Sequence, residues 1–204
     1  AGEEVKIEVG NEVTIAAVWE QLSVSETGTN ISIGRWTEPL TYSMNLTNGK
    51  AFTLTAQLGG SFTANEFYEG IYIVVHDTEE DPFVFRPDNW WFYSNYNPDT
   101  PYGNKTITRE VTIQFNGNAG LGTAAEFQQV KAENRTQIVV SKENGVITIK
   151  YNFINAENTP VVQSTYTINN LAADTLLEFC YDGANITAND VSISGDVMIS
   201  DNQT

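Results

Sequence analysis

A single cysteine, Cys180, in a chain of 204 residues rules out any internal disulfide. That excludes the disulfide-stapled class of secreted eukaryotic domains and matches the cysteine-poor habit of Gram-positive extracellular proteins. Cys180 sits in the apolar run Leu176-Leu177-Glu178-Phe179-Cys180-Tyr181 and reads as a small buried hydrophobe. Positive charge is also scarce. Ten Lys and Arg stand against 26 Asp and Glu, a net charge of −16. Phosphate backbones are bound by Lys and Arg displacing counterions, so nucleic acid is excluded as a partner. Anionic membranes are disfavoured on the same ground. Neutral polymers and cations remain.

Other absences narrow the chemistry. The lone histidine, His76, has no second histidine with which to share a metal and reads as an edge or surface residue. A Ser-His-Asp triad would need His76 as its base, and the chain has no G-x-S-x-G elbow. A retaining glycosidase needs two carboxylates about 5–5.5 Å apart. The glucanase pattern E-x-D-x-x-E is missing, and Glu66 and Glu69 stand apart on either side of Phe67-Tyr68. No catalytic residue is therefore assigned. No apolar stretch reaches the roughly 20 residues of a spanning helix. The chain starts abruptly at Ala1-Gly2-Glu3-Glu4 without a signal peptide, which reads as the trimmed start of a secreted, cell-surface-associated protein.

What is present is alternation. Val5, Ile7 and Val9 alternate with polar neighbours, as do Val13, Ile15 and Ala17, then Leu40 to Leu46, Phe52 to Leu58, Ile71 to Val75, and Val111 to Phe115. Ile138 and Val140 lead into Asn144-Gly145, a pair that tolerates positive φ and so predicts a tight hairpin with Val146–Phe153. Tyr166/Ile168, Leu177/Phe179 and Val191/Ile193 supply the last strands. About a dozen short strands predict an all-β fold, a two-sheet antiparallel β-sandwich of jelly-roll type, as one domain over 1–204. One short helix is predicted within Thr123–Ala132, and Asp196–Thr204 reads as a last strand or a linker.

Four Trp, nine Tyr and ten Phe are more ring surface than a core of this size needs, so some rings are expected to face outward. The richest stretch runs from Phe83 to Tyr96 and carries Trp90, Trp91, Tyr93 and Tyr96 among Arg86, Asp88, Asn89, Asn95 and Asn97. Alternation puts Trp90 and Trp91 on opposite faces, so at least one indole faces out. Flat C–H faces of sugars pack on such rings, and their hydroxyls need polar neighbours. Trp36 is a second candidate, and Trp19 a third that reads more readily as core. Two loop patches offer clustered oxygens to a structural calcium: Asp77, Glu79 and Asp81, and Asp182 with Asn185 and Asp190. The N-x-S/T sequons at Asn30, Asn45, Asn104, Asn134 and Asn185 read as surface polarity.

The order Trp36-Thr37-Glu38-Pro39, Tyr72-Ile73-Val74-Val75, Phe85-Arg86-Pro87-Asp88-Asn89-Trp90-Trp91, the Phe127 segment, Val139–Ile149, Asn170-Leu171 and Asp182-Gly183-Ala184 resembles a known family. It is similar to the β-jelly-roll carbohydrate-binding and laminarinase-like domains of surface glycan-degrading proteins from gut Gram-positive bacteria. The resemblance covers roughly Trp19 to Ile193. It implies non-catalytic binding of a plant or storage polysaccharide such as starch, β-glucan or xylan. The expected form is a monomeric module linked to others in a larger secreted protein. The doublet Trp90-Trp91 departs from the more usual glycine before the tryptophan, which leaves open which ring meets ligand. The competing reading is a structural or adhesion sandwich module of a surface protein, with no glycan affinity.

Overall fold

Side chains on a strand alternate between its two faces, so a half-apolar strand buries one face and leaves the other to solvent. The computed structural model describes residues 21–24, 28–38, 42–63, 66, 68–77, 82–85, 100–116, 121 and 123–201. The strands expected around Val5–Val9 and Val13–Ala17, and Trp19, lie outside the described residues.

The strands are β1 (Gln21–Val24), β2 (Thr29–Asn30), β3 (Tyr42–Thr47), β4 (Lys50–Gly60), β5 (Gly70–His76), β6 (Phe83–Phe85), β7 (Thr100–Tyr102), β8 (Lys105–Ile113), β9 (Arg135–Glu143), β10 (Val146–Ile154), β11 (Pro160–Ile168), β12 (Asp174–Asp182), β13 (Ile186–Gly195) and β14 (Val197–Asp201). A six-stranded sheet has the order β1-β14-β3-β12-β5-β6, and an eight-stranded sheet the order β2-β13-β4-β9-β10-β11-β8-β7. Every strand pair is antiparallel. The chain is thus an all-β, two-sheet antiparallel sandwich, with one short helix among the described residues. Val197–Asp201 is a strand that pairs with β3 and β1.

The core lies between the sheets. Met44, Leu46, Leu54, Ile73, Val75, Ile138, Val140, Ile149, Leu177 and Ile199 are wholly buried there. Rings tie the two layers together. Phe52 of β4 meets Phe179 of β12 edge-on at 6.0 Å, and Phe85 of β6 meets Tyr166 of β11 at 4.7 Å. The Tyr151 hydroxyl, on β10, donates to the Ile71 carbonyl of β5 at 3.0 Å, so one buried phenol also hydrogen-bonds across the layers.

Local signals place the connections. Asn144 (φ 50°) and Gly145 (φ 75°) form the predicted hairpin between β9 and β10. The helix α1 (Ala124–Glu133) opens with a capping box in which Thr123 and Glu126 satisfy each other's backbone N–H groups. Its Phe127 packs edge-on against Phe153 of β10 at 6.1 Å. At Gly195 (φ 117°) the chain leaves the eight-stranded sheet for the six-stranded one, and a Cβ there would stand 2.5 Å from the Ala51 carbonyl oxygen. Only glycine fits so close a backbone approach at that φ.

Four cations among the described residues are buried, which alternation of apolar residues does not announce. Lys105 pairs with Asp77 at 2.9 Å. The Arg109 Nε donates to the Ser164 hydroxyl at 2.9 Å, and its guanidinium lies over the Tyr166 ring. The Lys131 ammonium donates to the Glu69 carbonyl at 3.0 Å and sits over the Phe127 and Phe62 rings. The Lys142 ammonium donates to the carbonyls of Ala172 and Ala173 and to the Thr175 hydroxyl. Burial lowers the Lys142 pKa from its ordinary value, while Asp174 and Asp77 act against that shift.

Candidate functional site

The outer faces of the two sheets differ in chemistry. Across β4, β9, β10, β11 and β8 the outward positions are mostly hydroxyls and amides in register. One row reads Thr55, Gln137, Asn152, Gln163, Thr112. No ring stands on that face of those strands. The outer face of the six-stranded sheet carries the apolar groups instead. The strongly exposed large apolar side chains among the described residues are Trp36 (43%), Val84 (39%), Leu176 (39%) and Met198 (42%). Val84, Leu176 and Met198 point outward from β6, β12 and β14, since their strand neighbours Phe83, Phe85, Leu177, Val197 and Ile199 are buried in the core.

Trp36 reaches this face by a specific route. The backbone from Gly34 to Trp36 runs parallel to β12 at Tyr181, with Tyr181 N–H donating to Gly34 (3.0 Å) and Trp36 N–H to Tyr181 (2.8 Å). Arg35 fixes the segment. Its guanidinium lies 5.2 Å from the Tyr181 ring centroid and donates to the carbonyls of Gly183 (2.5 Å) and Ile186 (3.2 Å). A turn closed from Glu38 N–H to the Arg35 carbonyl at 2.9 Å then holds Trp36 near its tip. The indole comes to rest over Tyr72 of β5, centroids 5.2 Å apart and tilted by 43°.

Trp36, Tyr68, Tyr72, Val84 and Asp182 line an open cleft of about 460 Å³. Three rings and one carboxylate thus converge at one end of the outer face. The Tyr68 phenol is pushed up to about 12, first by its hydrogen bond to Glu66, then by burial and the nearby charges of Glu66, Asp182 and Glu69. Glu69 itself is buried, its carboxylate accepting from the Thr63 N–H (2.7 Å) and hydroxyl (3.1 Å). Glu66 and Glu69 are therefore not isolated acids: one holds Tyr68 and the other holds its own loop. A second cleft, about 410 Å³, lies by β3 and β14, lined by Asn45, Thr47, Lys50, Asp174, Asp196, Val197 and Met198. No ring lines it among the described residues, and its Lys50–Asp196 pair (3.0 Å) is exposed.

Of the residues put forward from sequence, Trp36 lies in the first cleft. Trp90, Trp91, Tyr93, Tyr96, Arg86, Asp88, Asn89 and Asn95 lie outside the described residues, as do Glu79 and Asp81. Asp77, read as a calcium ligand, has both carboxylate oxygens engaged, one by the Lys105 ammonium (2.9 Å) and one by the Ala172 N–H (3.1 Å). In the second acidic patch, Asp182 Oδ1 accepts from the Gly183 N–H at 2.9 Å. No group of three His, Cys, Asp or Glu side chains is placed to hold a metal among the described residues. His76 ends β5, a strand between β12 and β6, and is a surface residue as expected, its side chain 36% exposed, with its Nε2 paired to Glu178 at 2.7 Å. Sequence reasoning missed Tyr68, Tyr72 and the anchoring role of Arg35.

Cys180 faces outward from β12 beside Tyr72, yet it is fully buried. Burial, with smaller effects from Asp182 and Glu178, pushes its thiol up to about 12. The thiolate is the reactive form. The native protein is therefore expected to resist a thiol-specific colorimetric reagent near pH 8 and to react in full once denatured. Rapid labelling of the native protein would contradict the burial of this thiol.

No protein-family model matches the chain, and no curated protein matches its sequence. Among solved structures, the chain is similar to the metal-free form of lectin I-B4 from Griffonia simplicifolia, with 9% identity and a TM-score of 0.34 over 91% of this chain and 93% of the lectin. Nothing about ligand or residue roles follows from a likeness at this level.

Proposed function

We propose that this protein binds a polysaccharide without cleaving it, holding sugar rings against Trp36, Tyr68 and Tyr72. The observation that carries the reading is the half-exposed indole of Trp36, held by Arg35 and seated on Tyr72 in an open cleft. A core tryptophan would be sealed. A ring kept at a surface by a dedicated anchor offers a flat apolar face with polar rims, which suits the C–H face of a pyranose. The net charge of −16 favours an uncharged glycan over an anionic one. Starch, β-glucan and xylan are the classes proposed, in the setting of a secreted or surface-attached multimodular protein.

The ring-rich stretch extends this proposal. Arg86 follows Phe85 at the end of β6, and Val84 of the same strand lines the cleft. Trp90, Trp91, Tyr93 and Tyr96, with Arg86, Asp88, Asn89 and Asn95, are proposed as further sugar contacts. A panel of soluble starch, mixed-linkage β-glucan, xylan, mannan and xyloglucan in affinity gels should retard the protein on at least one polymer, with affinities of roughly micromolar to millimolar. Unchanged mobility on every polymer, together with unchanged tryptophan emission on adding each oligosaccharide, would favour a structural or adhesion module.

A further inference from the structure

Within that carbohydrate-binding reading, we infer that the Trp36 cleft selects glycans carrying free amino groups, the ammonium of a 2-amino sugar lying between the rings and the carboxylates of Asp182 and Glu66. Among the described residues, the charged groups at the cleft have one sign. Asp182 is part of its wall, and Glu66 is hydrogen-bonded to the Tyr68 hydroxyl on the same wall. Arg35 is the neighbouring cation among the described residues, and its guanidinium is turned to the Tyr181 ring and to two backbone carbonyls. The nearby charges of Glu66, Asp182 and Glu69 all favour the protonated form of the Tyr68 phenol.

Such a cleft suits a cation better than a neutral hydroxyl. Ring faces attract an ammonium through their quadrupole, and a carboxylate beside them adds charge pairing. Trp36, Tyr68 and Tyr72 supply the faces, and Asp182 retains an oxygen beyond the one that accepts from Gly183 N–H. A lysine side chain could offer the same ammonium, but at the end of a flexible stem whose rotamer freedom is lost on binding. A pyranose holds its amine rigidly beside the C–H face that stacks on the rings, so one rigid body meets both features of the cleft.

The test compares two matched oligomers by calorimetry with the whole chain: a β-1,4-linked glucosamine hexamer and its fully N-acetylated counterpart. At low salt the free-amine hexamer should bind about five- to twentyfold more tightly, with the ratio falling toward one as salt screens the charges. The same ratio should collapse in Asp182→Asn and fall in Glu66→Gln, both of which keep an acceptor oxygen for the Gly183 N–H or the Tyr68 hydroxyl. A ratio near one in the unmodified protein overturns this inference while leaving glycan binding intact. Binding of neither hexamer, together with no binding to any neutral polysaccharide, overturns the carbohydrate reading itself. A lysine-rich peptide that binds where the glucosamine hexamer does not would assign the cleft to a protein partner and overturn the inference as well.

Discussion

Trp36→Ala is expected to weaken glycan binding by about ten- to a hundredfold, or ~1.4–2.7 kcal/mol. The indole is the most exposed large apolar side chain in the described structure, and it is held in place by contacts that serve no core. Removing it takes away the stacking face and leaves Tyr72 uncovered. The effect on stability should be small, with a Tm change of no more than about 4 °C, because substitutions at exposed positions away from core packing cost little. Met198→Ala, at the ring-free second cleft, provides the contrast and should leave glycan binding as it was. Affinity measured by calorimetry, beside a thermal melt of each variant, separates the two effects. Full affinity in Trp36→Ala would move the site away from this cleft.

Phe179→Ala should do the reverse, lowering stability by about 3–5 kcal/mol. Phe179 is wholly buried at the centre of β12 and meets Phe52 edge-on across the sandwich. The truncation leaves a cavity where the two sheets join, and strands paired on both sides cannot collapse to fill it. In a chain of this size the loss corresponds to a Tm drop of roughly 6–20 °C. Cys180→Ala, one residue along on the opposite face, should cost far less, since only a sulfur atom is removed. Thermal melts or urea titrations of both variants check the difference. A drop of under 2 °C for Phe179→Ala would mean that the sheets do not pack through this ring.

The parts of the fold that sequence made legible are those where one face is apolar throughout. β4, β5, β9 and β10 alternate cleanly, and Asn144-Gly145 marks its hairpin by the need for positive φ at both positions. The length of β8 was harder to see. Its inward positions include Lys105 and Arg109, which interrupt the apolar pattern; Lys105 pairs with Asp77, and the Arg109 Nε donates to Ser164, both far along the chain. The three-residue strand β7 escapes a sequence reading, because three residues carry too little period to register. The cleft was legible only in part. Trp36 stood out as a tryptophan among turn residues, whereas Tyr72 looked like any ring in an apolar strand. Their meeting depends on Gly34–Trp36 running beside Tyr181, a pairing that no local pattern announces.

The interior placement of the cations has a consequence for survival outside a cell. Trypsin-class proteases cut after lysine and arginine and must thread an extended, accessible segment through their active site. Lys105, Arg109, Lys131 and Lys142 are sealed inside, and Arg35 is fastened at its guanidinium. Lys50, Arg135 and Lys150 lie in strands already paired with their neighbours. Among the described residues such enzymes therefore find few places to begin in the folded state, and cutting within these strands must wait for the sheets to open.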